Sequence, residues 1–159
     1  MKRFIAILAL SALCILLCGC GENTPQPPKV GTITEAFTEE TDNYPGVDLV
    51  VVDGTVTPTS AEIKIINDTG FGMRCYGNNY IRVQKEVDGV WYDLSHHNVP
   101  VTSQGPLEFD ADAEYHETVY WEHFYDALSP GHYRIVKKCS VRTENNSIPL
   151  LLTAEFDIE

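Results

Sequence analysis

Positive charge is scarce in this sequence. Its 159 residues hold 11 Lys and Arg against 23 Asp and Glu, a formal net charge of −12. Nucleic-acid binders and proteins that adhere directly to anionic lipid both use clustered cations, so the charge balance argues against both classes. Between Gly46 and Glu159 no segment sustains a 3.6-residue apolar period, which leaves no helix to carry parallel crossovers. A glycine-rich phosphate loop is missing too, and nucleotide enzymes of that type seldom do without one. Neither Gly-x-Ser-x-Gly, nor a Cys-Gly-x-Cys nucleophile segment, nor a helix-borne His-Glu-x-x-His occurs. Long apolar runs are also wanting. The one at the start, Phe4 to Leu17, is 14 residues long, and at 1.5 Å per residue it covers roughly 21 Å of a hydrocarbon core about 30 Å thick.

What is present begins with that run. Lys2 and Arg3 precede it and small residues follow it, the order of a secretory signal. The stretch LLCGCG, residues 16–21, then offers three cysteine chemistries: metal-binding thiols, a disulfide, or an acylated terminus. A metal site is disfavoured because Cys14 lies inside the apolar run and no further Cys or His follows until Cys75. The order Leu17, Cys18, Gly19, Cys20 resembles the lipobox of bacterial lipoproteins. That resemblance implies that residues 1–19 are a signal peptide and that Cys20 becomes the lipidated N-terminus on the extracytoplasmic face of the membrane. Cys18 stands where Ala, Ser or Thr is usual. More than one acyl chain holds a protein firmly on a bilayer, whereas one binds marginally. Without residues 1–19 the chain keeps 9 cations against 23 acids, a net of −14.

Gly21 to Pro45 is rich in Thr, Pro and Glu, and a composition so poor in apolar surface predicts a flexible linker over residues 20–45. A coil of that length spans roughly 25–30 Å. Within it, Gly31 to Phe37 has the character of an edge strand. Residues 46–159 suffice for one domain with its own core. Short stretches of two-residue alternation recur there between turn signals: VDLVVVDGTV, AEIKIIND, NYIRVQKEV, VWYDL, HETVYWEHF, HYRIVKKCSVR and PLLLTAEFDIE. In the last, Leu150, Leu152, Ala154, Phe156 and Ile158 share one face. About seven such strands without helices predict an all-β antiparallel β-sandwich, with a β-barrel as the rival. Cys75 and Cys139, the even pair left outside the cytoplasm, read as one disulfide worth on the order of 3–4 kcal/mol if unstrained. Two buried thiols that never meet are the alternative.

Three short motifs add to this. Asp88-Gly89 with Trp91 marks a tight hairpin. LSPGHYRIV places Pro130 and Gly131 ahead of Tyr133, the pattern of a tyrosine corner, although a type II turn would suit the same residues. Together with Tyr76-Gly77, Arg134 and the terminal Phe156-x-Ile158, they make residues 46–159 similar to a bacterial immunoglobulin-like domain found on lipoproteins and sensor-type membrane proteins of Gram-positive bacteria. The corner and hairpin are more distantly similar to a small Bacillus-type proteinase inhibitor. The first resemblance implies a binding domain with no catalytic residues and no cofactor, acting on an unidentified protein or cell-wall glycan. The second implies inhibition of an extracellular protease, and a small hydrolase is a third option of low weight.

Candidate chemistry is thin. His96 and His97 are adjacent and would point to opposite faces of a strand, so no metal site is expected from them. His116, His123 and His132 are scattered. Asp110, Asp112 and Glu114 alternate, but Tyr115 and Trp121 stand where a calcium loop needs Gly and Glu. Ser95 beside His96 is an adjacency without a triad. Tyr115, Tyr120, Trp121, Phe124 and Tyr125 remain as core or as aromatic anchors, with Trp121 and Val119 on one face and Tyr120 and Thr118 on the other.

Overall fold

The computed structural model describes residues 29–77, 81–97 and 105–159. Residues 1–19, expected to be a signal peptide, and Cys20 lie outside the described residues. Ten strands occur among them: β1 (Ile33–Ala36), β2 (Val47–Val51), β3 (Ser60–Asn67), β4 (Gly72–Cys75), β5 (Ile81–Val87), β6 (Val90–Leu94), β7 (Leu107–Phe109), β8 (Ala113–Tyr120), β9 (Gly131–Arg142) and β10 (Ser147–Ile158). One short helix, α1 (Glu122–Tyr125), follows β8. A large sheet runs β1-β6-β5-β9-β4-β7 with β10 on the other flank of β9, and a small sheet runs β2-β3-β8. The fold is an antiparallel β-sandwich of two sheets.

The long strand β9 is its spine. β10 pairs along all of it, from Gly131 opposite Ile158 to Arg142 opposite Ser147. On the other flank β5 and β4 follow one another, Lys85 to Ile81 facing Tyr133 to Lys137 and Cys75 to Gly72 facing Cys139 to Arg142. Two-residue alternation then sends Tyr133, Ile135, Cys139 and Val141 inward with Leu150, Leu152, Ala154, Phe156 and Ile158. Val47, Leu49, Ala61, Ile63 and Ile65 cover them from the small sheet. At one end of the core the Phe156 ring stacks between Trp121 and Tyr133, with centroids 5.0 and 5.8 Å away.

The turns show why the chain reverses where it does. Asp88 and Gly89 both take positive φ, 53° and 78°, and link Val87 to its partner Val90, the geometry of a type I′ hairpin. Tyr133 donates its hydroxyl to the Ser129 carbonyl at 2.7 Å, across Pro130 and Gly131, which makes the corner. A disulfide joins Cys75 to Cys139, which face each other across β4 and β9 with Cα atoms 4.0 Å apart. The next pair along carries the ladder bond, Tyr76 N–H to Lys138 O at 3.0 Å, so the cysteines occupy the position where side chains approach most closely. The bridge therefore lies within one sheet.

Two expectations are revised. Strand β8 stops at Tyr120, short of the stretch HETVYWEHF, and the chain turns into α1. Trp121 is the cause: buried under Phe156, it donates its indole N–H to the Pro58 carbonyl at 2.8 Å, and its own N–H bonds Thr59 O. Residues 29–45, polar enough to read as linker, lie along the large sheet, because β1 pairs with β6 and Phe37 finds cations to stack on. Within them Gly31 to Phe37 does hold an edge strand. Lys137, which the sequence did not single out, sits on the inward face of β9 with no exposed surface, ion-paired to Glu117 of β8 across the core.

Candidate functional site

The outward face of the large sheet is where polar side chains gather. Gln84 on β5 is fully buried there, donating Nε2–H to Asp93 Oδ1 at 2.8 Å and accepting from Arg134 Nε at 2.7 Å. Arg82 pairs with Asp93 on the same surface. Burial works to lower the Arg82 pKa, but hydrogen bonds to Asp93 and Glu39 outweigh it and the net shift is upward. Arg134, 8% exposed, is pulled down by burial, which the fields of Glu155, Asp42 and Asp93 only partly offset. Its guanidinium lies 4.4 Å from the Trp91 ring centroid.

Residues 29–45 form an arm over this face. Ser95 donates its hydroxyl to Lys29 O at 2.6 Å, and Gly31 N–H bonds Ser95 O at 2.8 Å. Beyond β1, Phe37 donates its N–H to Trp91 O and sets its ring 5.0 Å from the Arg82 guanidinium and 5.1 Å from that of Arg134. Glu39 pairs with Arg82 at 2.8 Å. Asp42 then mimics a strand residue: its N–H bonds Leu151 O and its carboxylate takes the N–H of Thr153, each at 2.8 Å. That contact covers part of the β10 edge.

Between the arm and α1 a groove of about 560 Å³ opens, within the range of ligand sites. Ile81, Val136, Leu150 and Leu151 give it an apolar floor, Glu39, Glu40 and Asn43 one wall, and His96, Phe124 and Tyr125 the other. Tyr125 is held where β6 diverges from β5: its hydroxyl accepts from Val83 N–H at 3.3 Å and donates to Ile81 O at 3.4 Å. Burial pushes its pKa up. The His96 ring meets the Tyr125 ring edge-on at 5.9 Å, and His97 Nε2 bonds Asp126 at 2.8 Å.

The residues singled out from sequence fall in separate places. His96 and His97 both line the groove, each held by its own hydrogen bond. His116 lies 3.8 Å from Glu114 on β8, and among the described residues no group of His, Cys, Asp or Glu is arranged to hold a metal ion. The acidic run is a turn: Asp112, at φ 53°, accepts from Gly70 N–H, and Glu114 pairs with Lys64 at 3.5 Å. Among the aromatics, Trp121 and Tyr125 are buried, Tyr120 is exposed on β8, and Tyr115 packs edge-on against Phe109. Asp88, Gly89, Pro130 and Gly131 build turns, whereas Trp91 lies on the outward face beside Arg134. Arg82 and Gln84 escaped sequence reading, and Arg134 entered it only as part of a turn motif, because polar residues on an alternating strand look like solvated face.

His132 marks the far end of the same surface. Its Nδ1 bonds Asp157 at 2.8 Å, and Glu155 and Glu86 lie 3.3 and 3.9 Å from Nε2. The hydrogen bond to Asp157, opposed by partial desolvation and helped by Glu155, raises its pKa above the usual 6.5. A raised histidine stabilises the fold fully below the unfolded pKa and loses that contribution as pH rises through the folded one. His132→Gln should therefore lower stability by under about 1 kcal/mol near pH 5 and by nothing near pH 9, since solvent screens these pairs. Thermal melts across that range check this; a deficit that grows with pH would contradict it.

Two antiparallel sheets packed face to face, closed by a tyrosine corner, define an immunoglobulin-like sandwich. The family model for the bacterial Ig-like domain matches residues 43–156, and the chain belongs to that family. No curated protein matches it. A crystal structure of a protein from Archaeoglobus fulgidus is 12% identical and covers 71% of this chain and 95% of that one, but its TM-score of 0.26 is too low to bear on fold or function.

Proposed function

We propose that this protein is a bacterial lipoprotein, anchored through lipid on Cys20 to the extracytoplasmic face of the membrane, whose immunoglobulin-like domain binds a protein or cell-wall partner and performs no catalysis. The observation that carries the binding reading is the open groove of about 560 Å³ with an apolar floor, flanked by the arm and by Tyr125. The anchor rests on the resemblance of LLCGCG to a lipobox. Lys29 is nine steps along the chain from Cys20, a reach of at most about 32 Å at full extension. Since Lys29 bonds Ser95 beside His96, the anchor keeps the groove end near the bilayer.

Two measurements test the reading. Cys20→Ser should move the protein out of the membrane fraction or leave it unprocessed; unchanged fractionation would contradict the anchor. A photo-crosslinking residue at Leu151, in the groove, should capture a discrete partner on intact cells, whereas one at the exposed Val50 of the small sheet should not. Equal yields from both positions would remove the groove as the binding surface.

A further inference from the structure

The arm satisfies the face beneath it incompletely. Arg134 is 8% exposed, and among the described residues its Nε hydrogen bond to Gln84 is its one bond to a protein acceptor. Its two Nη groups make no hydrogen bond or close ion pair among the described residues, and the carboxylates of Glu155, Asp42 and Asp93 reach the guanidinium only through their fields. The Nη groups are closed in by two rings, Trp91 at 4.4 Å and Phe37 at 5.1 Å. A buried guanidinium with unused donors is costly, and a carboxylate is the group that fits it best. Only Phe37, of those two rings, belongs to the arm.

Beyond the bonds of Asp42 to the β10 edge, what holds the arm over the two arginines is modest. β1 is four residues long, all exposed, and its register on β6 shifts between Ile33 and Ala36. Glu39 engages Arg82 at a half-exposed pair, a contact worth little in water. The arm ends at Gly46, whose positive φ of 82° and carbonyl bond to Asp68 N–H fix a pivot there. Lifting the arm about that pivot would uncover the two guanidiniums Phe37 now covers and the β6 edge that β1 pairs with.

We infer that the arm is a displaceable strap, and that an extended acidic peptide segment of a partner protein takes its place along β6, with an aromatic side chain between Arg82 and Arg134 and carboxylates on both. The arm itself states the chemistry: Phe37-Thr38-Glu39 sets a ring on two cations and a carboxylate on one of them. A partner that also reaches the Nη groups of Arg134 replaces the arm and gains contacts the arm does not make. Main-chain pairing with β6 supplies the remaining affinity, the usual mode of strand addition. The inference rests on the reading of the domain as a binding module and names its partner class.

The test uses the full chain in detergent and a fluorescent peptide of the arm's own sequence, TITEAFTEETD, residues 32–42. Phe37→Ala, which loosens the strap, should bind this peptide at least tenfold more tightly than the unaltered chain. Replacing both peptide residues that correspond to Glu39 and Glu40 by Gln should weaken binding at least fivefold, and so should Arg134→Met in the Phe37→Ala background. Arg82→Gln in that background, a substitution at a more exposed cation, repeats the measurement without disturbing a buried residue. Absence of binding to Phe37→Ala, equal affinity for the Gln peptide, or indifference to both arginine substitutions would overturn the strap. None of these results alters the fractionation of Cys20→Ser or the crosslink from Leu151, so the two readings fail separately.

Discussion

Lys137→Met should destabilise the domain by about 3–5 kcal/mol, the cost of leaving one charge of a buried pair alone. Lys137 has no exposed surface and Glu117 almost none, and the neighbours in register are Ile81 and Leu152 beside the lysine and Ile63 beside the glutamate. Neither charge has water to fall back on. Glu117→Gln should cost a comparable amount for the converse reason. Restoring balance should restore stability: Lys137→Met with Glu117→Leu removes both charges, fills much of the same volume, and is expected within about 1–2 kcal/mol of the starting protein. Urea midpoints for the four proteins check this. Full stability in Lys137→Met alone would mean that the pair is solvated and does not span a dry core.

That pair also shows where sequence and structure part. On β10 the alternation from Leu150 to Ile158 is unbroken, so strand, face and burial could be read together. The hairpin at Asp88-Gly89 is readable because that pair tolerates the positive φ the turn needs, whereas LSPGHYRIV suits a corner or a type II turn until the Tyr133 hydroxyl is seen bonded to Ser129 O. Lys137 breaks the pattern: in HYRIVKKCSVR the doublet Lys137-Lys138 looks like solvated surface, and only pairing in three dimensions with Glu117, twenty residues earlier, makes its inward position tolerable. The arm departs from its linker-like composition for a related reason. Composition measures whether a segment can bury apolar surface, and residues 29–45 bury little; they are held by strand pairing, by Phe37 on two guanidiniums and by Asp42 on the β10 edge. Those partners lie 45 to 111 residues away in the chain, beyond any local pattern. The groove was illegible because its walls come from the arm, the end of β6 and α1, which the sequence does not bring together.

Removing the disulfide should cost about 4 kcal/mol, from the loop-closure entropy of a bridge between residues 64 apart. Cys75→Ala with Cys139→Ala should lower the urea midpoint accordingly and steepen the transition, because the unfolded chain then exposes more surface. Reductant should do the same to the unaltered protein, and an unchanged midpoint in both would show that the bridge constrains nothing. The bridge acts through the unfolded state, while the Lys137–Glu117 pair acts in the folded core. Although Lys137 and Cys139 share the inward face of β9, two residues apart, their effects belong to different ends of the equilibrium. Combining Lys137→Met with loss of both cysteines should therefore give the sum of the separate losses to within about 0.5 kcal/mol. A smaller combined loss would mean that the bridge also holds Lys137 against Glu117 in the native state. Since a domain of this size has only about 5–15 kcal/mol in hand, the sum brings it to the edge of folding. The cycle is best read from the single losses on a background stabilised by osmolyte, which raises the stability of every variant.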